Sequence, residues 1–409
     1  MTFEEKLAEF AELAVKVGVN IQKGQTLLIN TSTDTLEFTR LVVKKAYEAG
    51  AGRVQVNLTD AVFERAFYEN TTVEEIEKFP KWIASQRDEL IERGGALLWI
   101  DAADPDLLAG IDIEKIATQQ KVAGKALENY RKAVMNDDIA WSIIAVPSSK
   151  WAAKVFPNLP EEEQVDALWD AIFNTVRIGE GSAVENWHAH VESLEARAAQ
   201  LNAKKYKKLY YKAPGTDLTI ELPEKHLWLT GGSKTPAGTT FIANMPTEEV
   251  YTMPAKYGVN GVVQNTKPLV FKGNVIDRFS LTFEKGKIIK AHAEVGNELL
   301  QQLINADEGS SYLGEVALVP HESPISASNI LYYNTLFDEN ASNHLAIGEA
   351  YPTCYEGGRE LQQGQLESLG INTSITHEDF MIGSGEMDID GELADGTIQP
   401  IFRNGSWAF

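Results

Sequence analysis

Four short segments in the second half of the chain carry side chains that could hold metal ions. They are residues 244–254 (NMPTEEVYTMP), 312–320 (YLGEVALVP), 343–354 (NHLAIGEAYPTC) and 375–383 (ITHEDFMIG). Together they offer carboxylates and imidazoles but no motif built on thiolates. That ligand set suits zinc, cobalt or manganese in a hydrolytic site. Two such ions ~3.5–4 Å apart would polarise a carbonyl group and lower the pKa of a shared water.

Each candidate ligand, taken alone, has an ordinary structural explanation. Glu315 begins an apolar strand beside a glycine, where a glutamate is usually solvated. His344 stands next to Leu-Ala-Ile, where a histidine commonly serves as a hydrogen-bonded structural residue. Tyr351 precedes a proline and by default would be a packing residue. The metal hypothesis therefore depends on the four segments taken together.

Two pairs of neighbouring residues constrain the geometry further. If residues 375–383 form a strand, His377 and Asp379 point to the same face, ~6.5–7 Å apart. That spacing can straddle one ion or serve two neighbouring ions. Glu248 and Glu249, if extended, point to opposite faces and are not expected to hold one ion equivalently. This reasoning leaves open which of the two glutamates is the ligand.

The remaining histidines fit a metal site less well. His321 is the main competitor, because it closely follows the glutamate of the second segment. His188 and His190 are two residues apart on a predicted helix and face different directions. His226 and His292 fall in strands of predicted hairpins.

The N-terminal elements that precede these segments predict an α/β domain over residues 1–204. Strands are predicted at 25–30, 53–58, 95–104 and 141–147, and helices at 3–18, 31–50, 112–135, 159–181 and 185–206. Strands alternating with helices of this length indicate an open, mostly parallel sheet with flanking helices. This half lacks the GxGxxG and GxxxxGK[ST] fingerprints of dinucleotide and phosphate sites.

The pattern of predicted secondary structure changes after residue 204. Short alternating segments are broken by Gly, Pro, Asn and Asp, with one helix predicted near 296–307. They indicate antiparallel strands and hairpins. We therefore predict a C-terminal β-rich, mixed α+β domain over residues 205–409, and this domain carries all four metal-capable segments.

Composition excludes several classes of protein. The net charge of −22 argues against nucleic acid and against an anionic membrane surface as partners. The single cysteine, Cys354, excludes an intrachain disulfide framework and a thiolate-only zinc site. A GxSxG nucleophile elbow is absent. The acidic opening is unlike a signal peptide and no apolar run is long enough to span a bilayer, so we expect a soluble cytoplasmic protein.

The four segments, in this order, resemble the signatures of the thermophilic-type metallo-aminopeptidases, the aminopeptidase S/T family, and most closely its PepS type. The matching stretches are ANMPTEEVYTMP, LGEVALVP, NHLAIGEAYP and THEDFMIG, with N-terminal LLIN and KVFP…LWDAIF also similar. The resemblance covers essentially the whole chain. It implies hydrolysis of the N-terminal residue of peptides by a water bridging two divalent cations, with zinc, cobalt, magnesium and manganese as the candidates.

The resemblance also implies roles for individual residues. The metal ligands of the family fall on Glu249, Glu315, His344, His377 and Asp379. Glu315 would bridge the ions, with Glu249 and Asp379 on one and the two histidines on the other. Tyr351 falls on the catalytic tyrosine, which would donate a hydrogen bond to the developing oxyanion. Glu248 is then either a solvated or salt-bridged neighbour or the general base. The family further implies a homodimer with its active sites in an internal cavity.

Two other functions compete with this hypothesis. The same ligands could serve another dinuclear metallohydrolase, such as an amidase or phosphoesterase. An α/β half followed by a β-rich half is also compatible with a non-catalytic, two-domain small-molecule binding protein. Cleavage of amino-acid p-nitroanilides would distinguish an aminopeptidase from the other metallohydrolases. A stoichiometric content of transition metal would distinguish an enzyme from the binding protein.

Overall fold

The computed structural model describes residues 1–102, 104, 107–179, 181–271 and 274–409. The chain forms two compact units. The first contains Met1–His190 and Gly232–Pro246, and the second contains Val191–Gly231 and Thr247–Phe409. A parallel sheet with helices and a β-rich C-terminal region confirm the α/β class predicted from the sequence.

The first unit is built from helices, a parallel sheet and a short antiparallel pair of strands. Its helices are α1 (Phe3–Leu13), α2 (Leu36–Glu48), α3 (Ala61–Asn70), α4 (Val73–Ile76), α5 (Lys81–Glu92), α6 (Ile113–Ala126), α7 (Glu128–Met135), α8 (Ser149–Val155) and α9 (Glu161–Thr175). Helix α10 (Ala183–Lys204) begins in this unit and ends in the second. Its strands are β1 (Thr26–Ser32), β2 (Arg53–Thr59), β3 (Ala96–Asp101) and β4 (Trp141–Ala145), followed much later by β8 (Gly232–Lys234), β9 (Thr240–Ile242) and β10 (Asn244–Met245).

The sheet of the first unit has the order β10-β4-β3-β1-β2, and all its pairs are parallel. Apolar side chains on both faces of the central strands require cover on both sides. Helices α5 and α7 contribute Leu90 and Tyr130 to a core cluster with Leu28 and Leu97 of the sheet. Helices α1, α2 and α9 are joined by aromatic contacts around Phe38. The predicted parallel sheet with flanking helices is confirmed, and β10 adds a strand that the sequence did not predict.

Several N-terminal elements differ from the prediction. The helix expected over 159–181 ends at Thr175, and the helix expected over 3–18 continues beyond Leu13 as a π-helix to Gly18. The helix expected over 112–135 is interrupted, because Leu127 has non-helical backbone angles (φ −104°, ψ 20°) between α6 and α7. Gly124, close to the end of α6, lowers helix propensity there. The strand expected over 95–104 is shorter, and Ala103 lies outside the described residues.

The second unit is mostly antiparallel. Its strands are β5 (Lys208–Ala213), β6 (Thr216–Glu221), β7 (Leu229–Thr230), β11 (Val250–Thr252), β12 (Val259–Gln264), β13 (Leu269–Phe271), β14 (Asn274–Glu284), β15 (Lys287–Val295), β16 (Leu313–Leu318), β17 (His344–Gly348), β18 (His377–Met381), β19 (Asp388–Glu392), β20 (Ile398–Arg403) and β21 (Ser406–Trp407). Its remaining helices are α11 (Asn297–Ile304), α12 (Pro324–Ser328), α13 (Thr335–Asp338) and α14 (Gln363–Ser368).

These strands form two sheets that share one core. The larger sheet has the order β13-β14-β12-β6-β5-β19-β20-β21, with β15 paired to β14. The smaller, which we call the site sheet, has the order β18-β17-β16-β11-β7. Leu209 and Phe279 of the larger sheet belong to the same apolar cluster as Val316 and Leu345 of the site sheet. Burial of one face therefore fixes which residues of the site sheet point away from the core.

Across the part of the chain that the structure covers, no helix combines the length and the apolar character needed to cross a membrane.

Candidate metal centre

The predicted ligands come together on the strands of the site sheet. Glu249 immediately precedes β11, and Glu315 is the third residue of β16. His344 is the first residue of β17, while His377 and Asp379 are the first and third residues of β18. Residues that lie up to 130 positions apart in the chain (379 − 249) thus become neighbours through antiparallel pairing.

The register of the strands places these side chains on one face. Ala346 of β17 lies opposite Glu315 on one side and opposite Asp379 on the other. Gly348, two residues along the same strand, lies opposite His377. Directly opposite residues share a face, and so do alternate residues along one strand. We call this the ligand face.

The opposite face of the site sheet is apolar and belongs to the core. Its buried residues are Val250, Val316, Leu318, Leu345, Ile347 and Phe380. A shift of one residue in the pairing would turn these side chains out and bury the carboxylates instead. The apolar alternation in LGEVAL and HLAIG therefore sets the register that aligns the ligands.

The ligand atoms form two overlapping groups that share Glu315. In the first, His344 Nε2 lies 3.1 Å from Glu249 Oε2 and 3.5 Å from Glu315 Oε1. In the second, His377 Nε2 lies 3.4 Å from Glu315 Oε2 and 3.6 Å from Asp379 Oδ1. Glu315 thus presents one oxygen to each histidine. The distances group each histidine with a different carboxylate, which differs from the division implied by the family resemblance.

Both imidazole rings are oriented by backbone carbonyls. Nδ1 of His344 is 3.1 Å from the carbonyl oxygen of Ser342, and Nδ1 of His377 is 2.8 Å from that of Glu349. A carbonyl can only accept, so each Nδ1 carries the proton and each Nε2 faces the carboxylates. This is the arrangement that metal-binding histidines usually show.

Burial makes the charges of this centre interdependent. Glu315 is 4% exposed and His344 is 1% exposed. Burial raises the pKa of Glu249 above its ordinary value. Burial alone would lower the pKa of His344, but the carboxylates of Glu249 and Glu315 outweigh it and raise that pKa well above the usual value. The carboxylates therefore require positive charge next to them.

The residues of the ligand face fit divalent cations. Three carboxylates and two imidazoles provide oxygen and nitrogen donors of the kind that zinc, cobalt and manganese accept. Asp379 Oδ1 is buried and has no hydrogen-bond partner among the described residues. Cations there would compensate the buried acids and leave both imidazoles neutral, with Nε2 as the donor atom.

Tyr351, the catalytic tyrosine implied by the resemblance, lies beside this centre. Its ring centroid is 4.7 Å from that of His377 and 6.1 Å from that of Tyr251. The charge of His377 would lower the pKa of Tyr351, but burial and the nearby carboxylates outweigh it and raise that pKa. The phenol therefore stays protonated at neutral pH and is available as a hydrogen-bond donor.

Glu248 and Glu339 are two further acids at the centre. Glu248 is 3% exposed, so the suggestion that it is a solvated neighbour is wrong. Its backbone N–H donates to Asn340 Oδ1 at 2.8 Å. The carboxyl group of Glu339 faces Asp379, and burial together with that carboxylate raises the pKa of Glu339 well above its usual value. Sequence reasoning missed Glu339, because FDEN resembles any acidic surface turn.

The competing histidines do not join a metal-capable group within the described residues. His321 is hydrogen-bonded through Nδ1 to the hydroxyl of Ser326, at 3.2 Å. His190 contacts the ring of Trp187 within α10. His226 is 3% exposed and hydrogen-bonded to a backbone carbonyl.

The chain is similar in sequence to known aminopeptidases over its full length. The sequence model of the thermophilic metalloprotease (M29) family matches residues 3–407. Aminopeptidase AmpS of Bacillus subtilis is 52% identical over 408 residues, which cover 100% of both chains. Aminopeptidase 2 of Geobacillus stearothermophilus is 48% identical over 100% of this chain and 98% of its own.

A solved structure shares the fold. Wild-type AmpT from Thermus thermophilus superposes with a TM-score of 0.93 at 38% identity, and the match covers 100% of both chains. At this similarity the two proteins share the same fold.

Proposed function

Because the chain belongs to the thermophilic metalloprotease (M29) family and is a metallo-aminopeptidase, we propose that it removes the N-terminal residue from peptides at the ligand face. The observation that carries this proposal is the pair of overlapping ligand groups that share Glu315. A carboxylate shared in this way is what two neighbouring cations require. The substrates would be peptides with a free N-terminus.

The distances support a division of the ligands between two ions. Glu249 and His344 would hold one ion, and His377 and Asp379 the other, with one oxygen of Glu315 on each. The alternative division, with both histidines on one ion, would require ligand atoms from the two separate groups to converge. Zinc, cobalt, magnesium and manganese all stay candidates, because availability decides among metals that one ligand set accepts.

The chemistry of the reaction is divided between the cations and the chain. Divalent cations in such a site act as Lewis acids and lower the pKa of the attacking water. The hydroxyl of Tyr351 would donate a hydrogen bond to the oxyanion that develops on the peptide carbonyl. Glu248 is our candidate for the general base, because it is buried and directly precedes the ligand Glu249. A general base in this site would have to lie within hydrogen-bond distance of the attacking water.

Family membership also bears on the competing functions. A metallopeptidase family does not support the non-catalytic binding protein, and no feature of the ligand face favours an amidase or phosphoesterase. The homodimer and the cytoplasmic location expected from the sequence stay proposals. Analytical ultracentrifugation at several protein concentrations tests the dimer, and a purely monomeric species would refute it.

Metal analysis coupled to a peptidase assay tests the proposed function. The purified chain should carry close to two transition-metal ions per chain and release the N-terminal residue of a short peptide. Chelation should remove both metal and activity, and added zinc or cobalt should restore them. The same peptide with an acetylated N-terminus is the matched control and should not be cleaved. Cleavage of the acetylated peptide, or full activity without metal, would refute the proposal.

A further inference from the structure

Beyond the ligands themselves, we propose that Asp307 and Glu349 are positioning residues that hold His377 in its metal-binding orientation. They act through the turn at residues 372–376, which leads directly into β18. This inference rests on the proposed function, since it assumes that His377 binds a cation.

The carbonyl of Glu349 is the group that orients the ring of His377. It accepts the Nδ1 proton at 2.8 Å, and this contact aims Nε2 at Glu315 and Asp379. The backbone around this carbonyl is tied to the turn, because the N–H of Glu349 donates to the carbonyl oxygen of Thr376 at 2.7 Å. Ring orientation therefore depends on the position of the turn relative to residue 349.

The side chain of Glu349 binds the same turn from the other direction. Its Oε2 accepts a hydrogen bond from the backbone N–H of Ser374. One residue thus orients the histidine with its carbonyl and restrains the turn with its carboxylate. Glutamine at this position would keep an oxygen able to accept from Ser374, whereas alanine would not.

Asp307 restrains the turn from a different segment. Its Oδ1 accepts from the hydroxyl of Ser374 at 2.8 Å and from the N–H of Ser310 at 2.7 Å. Its Oδ2 accepts from the N–H of Ile375 at 2.7 Å. Ser310 belongs to the short turn that precedes β16. One carboxylate therefore connects the approach to the strand of Glu315 with the approach to the strand of His377.

Buried contacts at the same place support a fixed geometry. The side-chain N–H groups of Asn372 donate to the carbonyl oxygens of Gly309, at 2.8 Å, and Gly348, at 2.6 Å. Three segments that lead to the ligand strands therefore meet at the turn. Asp307 and Glu349 are not themselves ligands, because neither belongs to a metal-capable group in the described chain.

The orientation of the histidine in the first ligand group does not depend on the turn at residues 372–376. His344 is oriented by Ser342, which lies two residues before it on the same segment. Loss of Asp307 or Glu349 should therefore weaken binding of the ion held by His377 and leave binding of the other ion unchanged. Groups that orient metal-binding histidines typically contribute 10–100-fold to metal affinity.

Zinc binding to the full-length, metal-free chain in competition with a chelator tests the inference. We expect Asp307→Ala and Glu349→Ala to weaken one of the two zinc affinities by about 10–100-fold and to leave the other unchanged. Glu349→Gln should restore most of the loss. Glu308→Gln is the matched control, because Glu308 is exposed and adjacent to Asp307. Thermal unfolding of each metal-free variant shows whether a change in zinc affinity is accompanied by a loss of fold stability.

The possible results separate the two proposals. Unchanged zinc affinities, or equal weakening of both sites together with a lower thermal midpoint, would overturn the positioning role. If an alanine variant does not fold, Ser374→Ala provides the same test, because it removes the hydroxyl contact to Asp307 and the contacts of that hydroxyl to Thr376 within the same turn. A wild-type chain that binds no pair of zinc ions would instead refute the proposed function.

Discussion

At the scale of single residues, the two adjacent glutamates have different expected roles. Glu249 lies 3.1 Å from His344 within a ligand group, whereas Glu248 is buried beside it and outside both groups. We expect Glu249→Gln to lose one of the two ions. Glu248→Gln should keep both ions and lower turnover by ~10²–10⁴, the usual contribution of a general base. Metal analysis with kinetics measures both, and loss of metal in Glu248→Gln would contradict the distinction.

Tyr351 offers a test of oxyanion stabilisation at the same scale. Tyr351→Phe keeps the ring that lies against His377 and removes only the hydroxyl. Turnover should fall by ~10²–10³, as for other oxyanion donors, while metal content stays at the wild-type level. Tyr355→Phe, a nearby tyrosine change outside the proposed chemistry, is the control. A metal-depleted Tyr351→Phe protein would show that the hydroxyl acts on the ions instead.

His226 makes the stability of the chain sensitive to pH. Burial lowers its folded-state pKa below the ordinary value of 6.5, and the charge of Lys205 lowers it further. Its Nδ1 contacts the carbonyl oxygen of Pro223, and its buried Nε2 has no partner among the described residues. Protonation therefore favours the unfolded chain, so its stabilising contribution is complete above pH 6.5 and declines below it.

The measurement is the thermal midpoint of wild type and His226→Gln between pH about 8 and about 5.5. As the pH falls, the thermal midpoint of His226→Gln should rise relative to that of the wild type, because glutamine does not take up a proton. Comparing the two proteins at each pH cancels the titration of the metal-centre histidines. Parallel midpoints across the range would refute the role of His226.

At the scale of elements, close packing between β17 and the turn before β18 requires glycine at position 348. Gly348 has φ of +108°, and a Cβ atom there would lie 2.1 Å from the carbonyl oxygen of Thr376. Gly348→Ala should destabilise the chain by ~1–3 kcal/mol, the usual cost of such backbone strain. Gly364→Ala in α14 is the control, because its Cβ would meet open space and alanine favours helix.

Urea unfolding of the two glycine variants checks this prediction. The midpoint of Gly348→Ala should fall, and that of Gly364→Ala should be equal to or above the wild-type value. Similar midpoints for both variants would mean that the strand and the turn adjust to the added methyl group. The same experiment on metal-loaded protein would report whether the strain reaches His377.

Comparison of the helices and strands with their predictions shows which elements the sequence pattern could predict. The apolar periods of β1, β4, β16 and α9 are strong, and these elements form where the patterns predict them. The break at Leu127 was not visible, because the helix pattern continues on both sides of it. The two-residue strand β10 has too few residues to show any period.

At the scale of the whole molecule, metal binding should stabilise the fold. The buried carboxylates of the ligand face lose their compensating charge when cations are removed, so cations bind the folded state preferentially. Zinc at 100 times its dissociation constant should add ~2.7 kcal/mol per site. Calorimetry of the chelated chain with and without zinc measures the shift. A chain carrying His344→Ala and His377→Ala is the control, and an equal shift in that protein would contradict specific binding.

The sequence by itself determined the α/β class and the β-rich C-terminal region, and it singled out the four metal-capable segments. It could do so because burial enforces local periods, and because imidazole and carboxylate groups in ordered segments limit the possible chemistry. Residues 232–246 joined the N-terminal unit only in three dimensions, since strand pairing over a long separation leaves no local signal. Likewise, only the register of β16, β17 and β18 decided which ligand atoms approach each other. Tertiary structure also placed Glu339 beside Asp379 and Asp307 against the turn that precedes β18. A pattern specifies which face a side chain takes, whereas distances across strands arise from tertiary pairing.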